Sequence, residues 1–258
     1  MQPVAITQRR VPPFGGFSLT FLYLEVRRLL RNRRTLVFTL IIPAVFFFIF
    51  KSEKKLATRE GAEIAAITMI GLSVYGAMIA ATSGGALVSV ERALGWSRQL
   101  RLTPLRPPAY IAIKLTTAMF LGLVSVAVVN LVAAFDGVRI DFGTWVAAGV
   151  LSWAAALVFA SFGLFMGYLL PSENVMQFIG PVLGIFAFFG GLFVPVSLLP
   201  TTIQNIAPYM PPYGVAQIAR FPLLGGSFDP TWILSMALWT LGFAAAAAYL
   251  FRRDTRRV

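Results

Sequence analysis

Residues 109–134 read AYIAIKLTTAMFLGLVSVAVVNLVAA, an apolar run long enough to cross a lipid bilayer as one α-helix. Lys114 is its single charged residue. The whole chain of 258 residues follows the same trend, because 58% of its residues are hydrophobic and 12% are charged, with a mean hydropathy of +0.78. A soluble domain has about 25% charged residues. The composition therefore excludes an ordinary soluble enzyme and a disordered protein, and it predicts an all-α, polytopic membrane protein.

Five further apolar stretches accompany this run, and together they predict six transmembrane helices. In chain order the other five are 35–50, 64–90, 143–169, 175–194 and 231–251. The first contains Pro43, which a transmembrane helix tolerates when neighbouring helices satisfy the freed carbonyl. Small residues recur along the second, fourth and fifth spans and let helices approach closely in lipid. We interpret them as contacts within one bundle, with a contact between subunits as the alternative.

Three segments outside the spans have their own character. Residues 1–16 are polar and contain three prolines, so they predict a flexible N-terminus and not a signal peptide. Residues 17–34 place leucines on one helical face and arginines on another, which predicts an amphipathic helix along the membrane surface. Residues 195–226 are rich in proline, and their apolar pieces are too short to span. They predict a re-entrant helical segment at the outer surface.

The basic residues are distributed unevenly between the two predicted sides of the membrane. Of the 22 Lys and Arg residues, 16 lie before the first span, between the second and third, or after the sixth. That side carries +12 and the opposite side carries 0. The positive-inside rule then places both termini in the cytoplasm and residues 252–258 in a basic cytoplasmic tail of a plasma (inner) membrane protein. Since these charges flank spans and face lipid headgroups, a nucleic-acid partner is disfavoured.

Catalytic signatures are missing from the sequence. There is no P-loop, no HExxH and no GxSxG, and the chain has neither cysteine nor histidine. No charged side chain is expected deep in a span, which argues against a proton-driven antiporter. The chain is therefore predicted not to be an enzyme and to hold no metal or cofactor of its own. Asn130 is polar within a span, and we interpret it as an interhelical hydrogen-bonding residue rather than a ligand contact.

The cytoplasmic segment 91–114, ERALGWSRQLRLTPLRPPAYIAIK, mixes arginines with leucines. On composition it is a solvated amphipathic loop lying on headgroups, or a short helix presented to a cytoplasmic partner. Its residues resemble the loop between the second and third spans of type-2 ATP-binding-cassette (ABC) permeases: Glu91, Gly95, Leu100, Thr103, Pro104, Leu105 and Lys114. That family usually shows E-R-E-x-G, and this chain reads ERALG, so its second acid is missing.

A second segment carries the same resemblance. Residues 190–220 contain GGLFVPVSLLP and then IQNIAPYMPPYGVAQIAR, similar to the Gly-rich span end, proline turn and short helices of these permeases. The subgroup that the chain resembles is the drug-exporter permeases of the daunorubicin-resistance type. The resemblance implies that residues 35–251 form the transmembrane domain of an ATP-driven exporter. ATP and Mg²⁺ would bind a separate ATPase subunit, and two ATPases would join two permease copies, as a homodimer rather than with a paralogue.

The resemblance also assigns roles to residues near the cytoplasm. The loop 91–106 would couple the permease to the ATPase, with the short turn after the fourth span approaching the same face. The residues implied are Glu91, Arg92, Gly95, Leu100, Thr103, Pro104, Leu105 and Glu173. Helix 17–34 would be the connecting helix on the inner membrane face, with Glu25, Arg27, Arg28 and Arg31 as its charged residues.

The resemblance further implies a pathway between two copies that is lined by the second and fifth spans. Its expected residues are Met69, Ser73, Tyr75, Phe178, Phe186, Phe189 and Phe193. The expected outer gate contains Pro195, Pro200, Pro208, Pro211 and Pro212. A neutral aromatic pathway favours a hydrophobic or amphiphilic substrate such as a drug, a lipid or a polyketide-like compound. Two alternatives stay open: export of a lipid or cell-envelope glycoconjugate, and a membrane sensor that transports nothing.

Overall fold

The computed structural model describes residues 13–50, 59–95 and 105–256, and the regular secondary structure in these ranges is helical throughout. The α-helices are α1 (Leu19–Arg31), α2 (Arg33–Phe50), α3 (Arg59–Ala86), α4 (Val88–Ala93), α5 (Pro107–Phe135), α6 (Phe142–Ala155), α7 (Leu157–Leu169), α8 (Ser172–Phe189), α9 (Thr201–Ile206), α10 (Pro211–Leu224) and α11 (Thr231–Arg256). Short 3₁₀ turns cover Pro13–Gly16, Val196–Leu198 and Ala207–Tyr209. The all-α prediction is confirmed.

Five helical stretches in the described part are long and apolar enough to cross a membrane. They are Ala62–Ala93, Pro108–Phe135, Phe142–Leu169, Ser172–Phe189 and Thr231–Arg253. They match the second to sixth predicted spans, so the chain is a multi-pass membrane protein. The first predicted span coincides with α2, which has 18 residues and contains Pro43. Its crossing of the membrane stays a prediction.

The helix boundaries depart from the predicted spans at three places, one of which is Leu87, where the second span is interrupted between α3 and α4. The fifth predicted span runs to residue 194, but α8 ends at Phe189 and Gly191 turns the chain with φ +64°. Residues 190–194 are mostly apolar, so hydropathy alone extended the span into a turn. The fourth span is interrupted at Ala156, where α6 gives way to α7.

Helix α3 lies at the centre of the bundle and packs against α2, α5, α6, α7, α8 and α10. Small residues make this possible. A Cβ added at Gly163 of α7 would lie 2.2 Å from the Thr82 carbonyl oxygen of α3, and one at Gly84 would lie 2.9 Å from Ala118 Cα of α5. The interpretation of small residues as contacts within the bundle is therefore confirmed for the second and fourth spans.

The small residues of the fifth span behave differently. A Cβ added at Gly180 or Gly184 of α8 meets no heavy atom within 4 Å. Both glycines lie on an exposed face of α8 that also carries Phe188. Helix α8 therefore presents to its surroundings a surface that could accept a close helix neighbour.

Asn130 joins two central helices. Its Nδ2 donates hydrogen bonds to the Ser73 hydroxyl at 3.0 Å and to the Val126 carbonyl at 2.8 Å. Ser73 belongs to α3 and Asn130 to α5, so the predicted interhelical hydrogen bond is confirmed. Such a bond satisfies polar groups that lipid could not.

Candidate functional site

A group of charged side chains is buried at the end of the bundle where α5 begins and α11 ends. Glu25 of α1, Glu91 of α4 and Lys114 of α5 are 5%, 4% and 3% exposed. Tyr110 of α5 is also buried beside them, and Arg28 of α1 closes the group on its outer side. We call these five residues the ion cluster.

Lys114 is the centre of the ion cluster. Its Nζ lies 2.7 Å from Glu25 Oε2 and 2.5 Å from Glu91 Oε1. The Tyr110 hydroxyl donates a hydrogen bond to Glu91 Oε2 at 2.6 Å. Arg28 pairs with Glu91 and lies 3.3 Å from Glu25 Oε2. The cluster thus ties together α1, α4 and α5, whose charged residues are far apart in the sequence.

Local sequence places each of these side chains. Ser18 caps α1, so that Glu25 and Leu29, four residues apart, share the buried face of that helix. Pro107 begins α5, a favoured position because its missing N–H would be unpaired there. Tyr110 and Lys114 are then also four residues apart and lie on one face.

The ion cluster balances its own charge. It holds two carboxylates and two cations, and this pairing is what makes their burial tolerable, since an uncompensated buried charge costs several kcal/mol. Burial lowers the pKa of Arg28, but the hydrogen bond to Glu91 and the negative charges of Glu91 and Glu25 outweigh burial and raise that pKa above its ordinary value. Arg28 therefore keeps its charge and continues to pair with the two carboxylates.

A second set of contacts extends the ion cluster to α7 and α11. Arg92 Nη1 donates hydrogen bonds to the carbonyls of Gly167 at 3.1 Å and Tyr168 at 2.9 Å, at the end of α7. The Phe251 ring of α11 stacks at 6.2 Å from the Tyr110 ring and meets the Tyr168 ring edge-on at 5.6 Å. The end of α11 thus covers the residues that hold Glu91 and Arg92.

The structure brings together some of the predicted coupling residues. Glu91 and Arg92 both point into the protein rather than toward a partner surface. Gly95 has φ +73°, and a Cβ added there would meet no heavy atom within 4 Å, which suits a turn at the end of the helix. Glu173 is exposed in the first turn of α8. Leu105 is half-buried beside Tyr110, while Leu100, Thr103 and Pro104 lie outside the described residues.

The predicted connecting-helix residues divide into two groups. Glu25 and Arg28 belong to the ion cluster, whereas Arg27 and Arg31 are exposed. The backbone also links the 3₁₀ turn Pro13–Gly16, which precedes α1, to the far end of loop 91–106, because the Arg106 N–H donates to the Gly15 carbonyl at 2.8 Å. Both ends of loop 91–106 are therefore fastened to the N-terminal region.

Sequence reasoning missed part of this site. The motif placed Lys114 at the start of the third span, but nothing in the sequence indicated that its side chain is buried there. The four-residue spacing of Tyr110 and Lys114 was a readable signal for a shared polar face. Tyr168 and Phe251 gave no such signal, because their roles depend on which helices pack together.

The predicted pathway residues do not form one surface within this chain. Met69 and Ser73 are buried inside the bundle, and Phe178 is exposed on α8. Tyr75 and Phe193 meet edge-on at 4.9 Å, and Phe46 of α2 joins them at 5.8 Å and 5.9 Å. Phe186 contacts Phe162 at 5.4 Å, and Phe189 contacts Phe188 at 5.9 Å.

The predicted gate prolines lie at the starts of helical pieces. Pro195 and Pro200 directly precede the 3₁₀ turn Val196–Leu198 and α9, and Pro208 is the second residue of the turn Ala207–Tyr209. Pro211 and Pro212 are the first two residues of α10. Arg220 of α10 fastens this region to the turn after α8, because its Nη2 donates to the Gly191 carbonyl at 2.7 Å and the Leu192 carbonyl at 3.3 Å. Burial lowers the pKa of Arg220 to about 10, so the side chain is still charged at neutral pH.

The amino-acid sequence is similar to those of known proteins. Residues 19–224 match the ABC-2 type transporter family, which covers α1 through α10. The chain is also similar to the "Putative transport permease YvfS" of Bacillus subtilis (strain 168), with 25% identity over 235 residues that cover 89% of this chain and 95% of that protein. The chain therefore belongs to the ABC-2 type transporter family, as a membrane-spanning transport permease that associates with an ABC ATPase carried on a separate subunit.

Proposed function

We propose that the chain is the permease of an exporter that moves a hydrophobic or amphiphilic compound, in the manner of a multidrug efflux system that confers antibiotic resistance. ATP and Mg²⁺ bind the partner ATPase. The observation that carries the proposal is the ion cluster. It joins α1, the start of loop 91–106 and α5, and these are the elements through which an ATPase docked on that loop would act.

The ion cluster offers a direct route for such coupling. A displacement of loop 91–106 acts first on Glu91 and Arg92 in α4. The ion pairs of Glu91 with Arg28 and Lys114 transmit this displacement to α1 and α5. The hydrogen bond from Arg92 to the Tyr168 carbonyl transmits it to the end of α7. Since α4 follows α3 after a single residue, Leu87, the displacement also reaches the central helix of the bundle. Helices joined by such contacts move together as rigid bodies, and rigid-body motion of helices is the usual basis of alternating access.

Two observations support a pathway between two copies of the chain. The exposed face of α8 carries Gly180 and Gly184, where a second helix can approach closely. The same helix exposes Phe178 and Phe188, aromatic side chains that suit a hydrophobic substrate. We propose that the complex contains two permease copies and two ATPases. From the charge asymmetry, we also propose that the chain lies in the plasma membrane with both termini in the cytoplasm.

The coupling role can be tested by replacing one carboxylate. The chain is reconstituted with its ATPase in lipid nanodiscs, and ATP hydrolysis is measured across a panel of drugs and lipids. We expect Glu91→Gln to lose substrate-stimulated hydrolysis while the complex remains assembled, because the variant keeps the shape of Glu91 but lacks its charge. Glu63→Gln, an exposed acid at the other end of α3, is the matched control.

The outcome also separates the candidate substrates. Stimulation by lipids alone would identify a lipid exporter, whereas stimulation by drugs supports efflux. Stimulation of Glu91→Gln equal to that of the unmodified complex would overturn the coupling role. Thermal unfolding of the same samples shows whether a loss of stimulation reflects a loss of folded permease.

A further inference from the structure

A cavity of about 330 Å³ lies at the end of the bundle opposite the ion cluster. It is an open pocket between the 3₁₀ turn Ala207–Tyr209, the beginning of α10 and the beginning of α11. Its walls include Tyr209, Tyr213, Asp229, Trp232 and Ser235. None of these residues has a role in the coupling proposed above.

Aromatic residues form much of the cavity wall. The Trp232 ring packs edge-on against two other aromatic rings, with centroid distances of 5.6 Å to Phe228 and 6.4 Å to Phe221. Helices α10 and α11 approach closely beside the cavity, since a Cβ at Gly214 would lie 2.8 Å from the Trp232 carbonyl oxygen. Tyr209 also lines the cavity and is 78% exposed.

Asp229 adds a negative charge to these aromatic walls. Its Oδ1 accepts a hydrogen bond from the Thr231 N–H at 2.9 Å, and that bond holds the pKa of the carboxyl below its ordinary value. Within the described ranges no basic side chain forms an ion pair with Asp229. Arg220, its nearest basic residue in sequence, is bound to the carbonyls of Gly191 and Leu192 instead.

We propose that this cavity binds the ammonium group of an organic cation. Tryptophan and tyrosine rings attract a cation through the negative faces of their π-systems, and a neighbouring carboxylate adds direct charge attraction. An apolar solute would gain nothing from Asp229, and an anion would be repelled by it. The site lies at the end of the bundle opposite the ion cluster, and it does not depend on the coupling role or on the direction of transport.

An ammonium group can come from two sources, a soluble amine or the headgroup of a phospholipid. Choline serves as the soluble probe, and 3,3-dimethylbutan-1-ol is its neutral counterpart, in which carbon replaces the charged nitrogen. Binding of each to the full-length chain in phosphatidylglycerol nanodiscs is measured by calorimetry. We expect choline to bind about tenfold more tightly than the neutral compound.

Variants then assign the binding to this cavity. Asp229→Asn keeps the side-chain oxygen that accepts from Thr231, so the turn is preserved, and we expect it to weaken choline binding by about tenfold. Asp141→Asn is the matched control, because Asp141 likewise caps the first turn of a helix, through Thr144, but lies away from the cavity. Trp232→Leu should weaken binding as well.

The lipid composition separates the two sources. If the site takes phospholipid headgroups, phosphatidylethanolamine in the nanodisc competes and lowers the apparent affinity for choline. If the affinity is the same in both lipids, the natural ligand is a soluble cation. Equal affinities for choline and the neutral compound, or an Asp229→Asn variant that binds choline as the unmodified chain does, would refute the site.

Discussion

Lys114 shows how a single residue can decide the stability of a membrane domain. Its ammonium group faces two buried carboxylates, at 2.7 Å and 2.5 Å, and Arg28 supplies the second positive charge. A buried ion pair often stabilises a fold no more than apolar packing would. Removing one partner, however, leaves an uncompensated buried charge and strongly destabilises the folded state. The cluster therefore acts as a constraint that fixes α1, α4 and α5 relative to one another.

Replacing Lys114 should reveal how much the ion cluster contributes to the stability of the folded chain. We expect Lys114→Met to destabilise the folded chain by about 3–5 kcal/mol, because Glu25 and Glu91 are left with Arg28 alone. Thermal or denaturant unfolding in detergent measures the change. Arg139→Met, an exposed cation in the loop after α5, should change stability by less than about 0.5 kcal/mol. Equal stability of the two variants would contradict a stabilising role for the lysine pairing.

At the residue scale, the sequence pointed to individual members of the site but not to their pairing. Glu91 was singled out by its motif and Glu25 by its place on an amphipathic helix. Their partner Lys114 is 89 residues from Glu25 and 23 from Glu91. Contacts at such separations depend on which helices pack together, and no local pattern encodes that choice. The burial of Lys114 was missed for the same reason.

At the scale of helices, small residues set the distances between α3 and its neighbours. Gly163 lies against the backbone of Thr82, and the Thr82 hydroxyl donates to the Phe159 carbonyl at 3.3 Å across the same interface. Gly242 of α11 provides a natural contrast, since nothing lies within 4 Å of a Cβ added there.

These two glycines give a matched pair of substitutions. We expect Gly163→Ala to destabilise the chain by about 1–3 kcal/mol, because the added methyl group forces α7 away from α3. Gly242→Ala should leave stability unchanged or raise it by up to about 1 kcal/mol, since alanine favours helix more than glycine does. Unfolding in detergent compares them. A Gly163→Ala variant as stable as Gly242→Ala would show that this crossing tolerates a wider spacing.

Sequence patterns predicted the helices better than their ends. Hydropathy over about 20 residues identified the spans because a bilayer demands that length of apolar side chains. It could not locate the end of α8, where apolar residues continue through the turn at Gly191. It also could not detect the interruption at Ala156, because nothing in the composition changes there.

At the scale of the whole molecule, the open face of α8 predicts how two copies meet. The chain contains no cysteine, so a single introduced cysteine reports on one position without background. We expect Gly184→Cys to form a cross-link between two copies in native membranes, because a side chain at this position meets nothing within its own chain. The cross-linked dimer would appear at twice the monomer mass on a non-reducing gel.

A control position distinguishes a specific interface from random collision in the membrane. Leu241 of α11 is 67% exposed and lies on a helix that packs mainly on α7 and α10. Leu241→Cys should cross-link far less than Gly184→Cys. If both cysteines cross-link to the same extent, α8 does not form the contact between copies.

The ion cluster has a consequence for biosynthesis. The chain emerges from the ribosome with Glu25 first and Glu91 next, and both carboxylates wait without their lysine until α5 follows. Arg28 is already present with Glu25, and Lys114 arrives with α5 as the second cation that completes the charge balance. Phe251 of α11 follows later in the chain and covers Tyr110. A nascent chain that stops before α5 therefore holds two carboxylates with Arg28 as their one cation from this cluster, and we expect it to keep this group in contact with water near the headgroups.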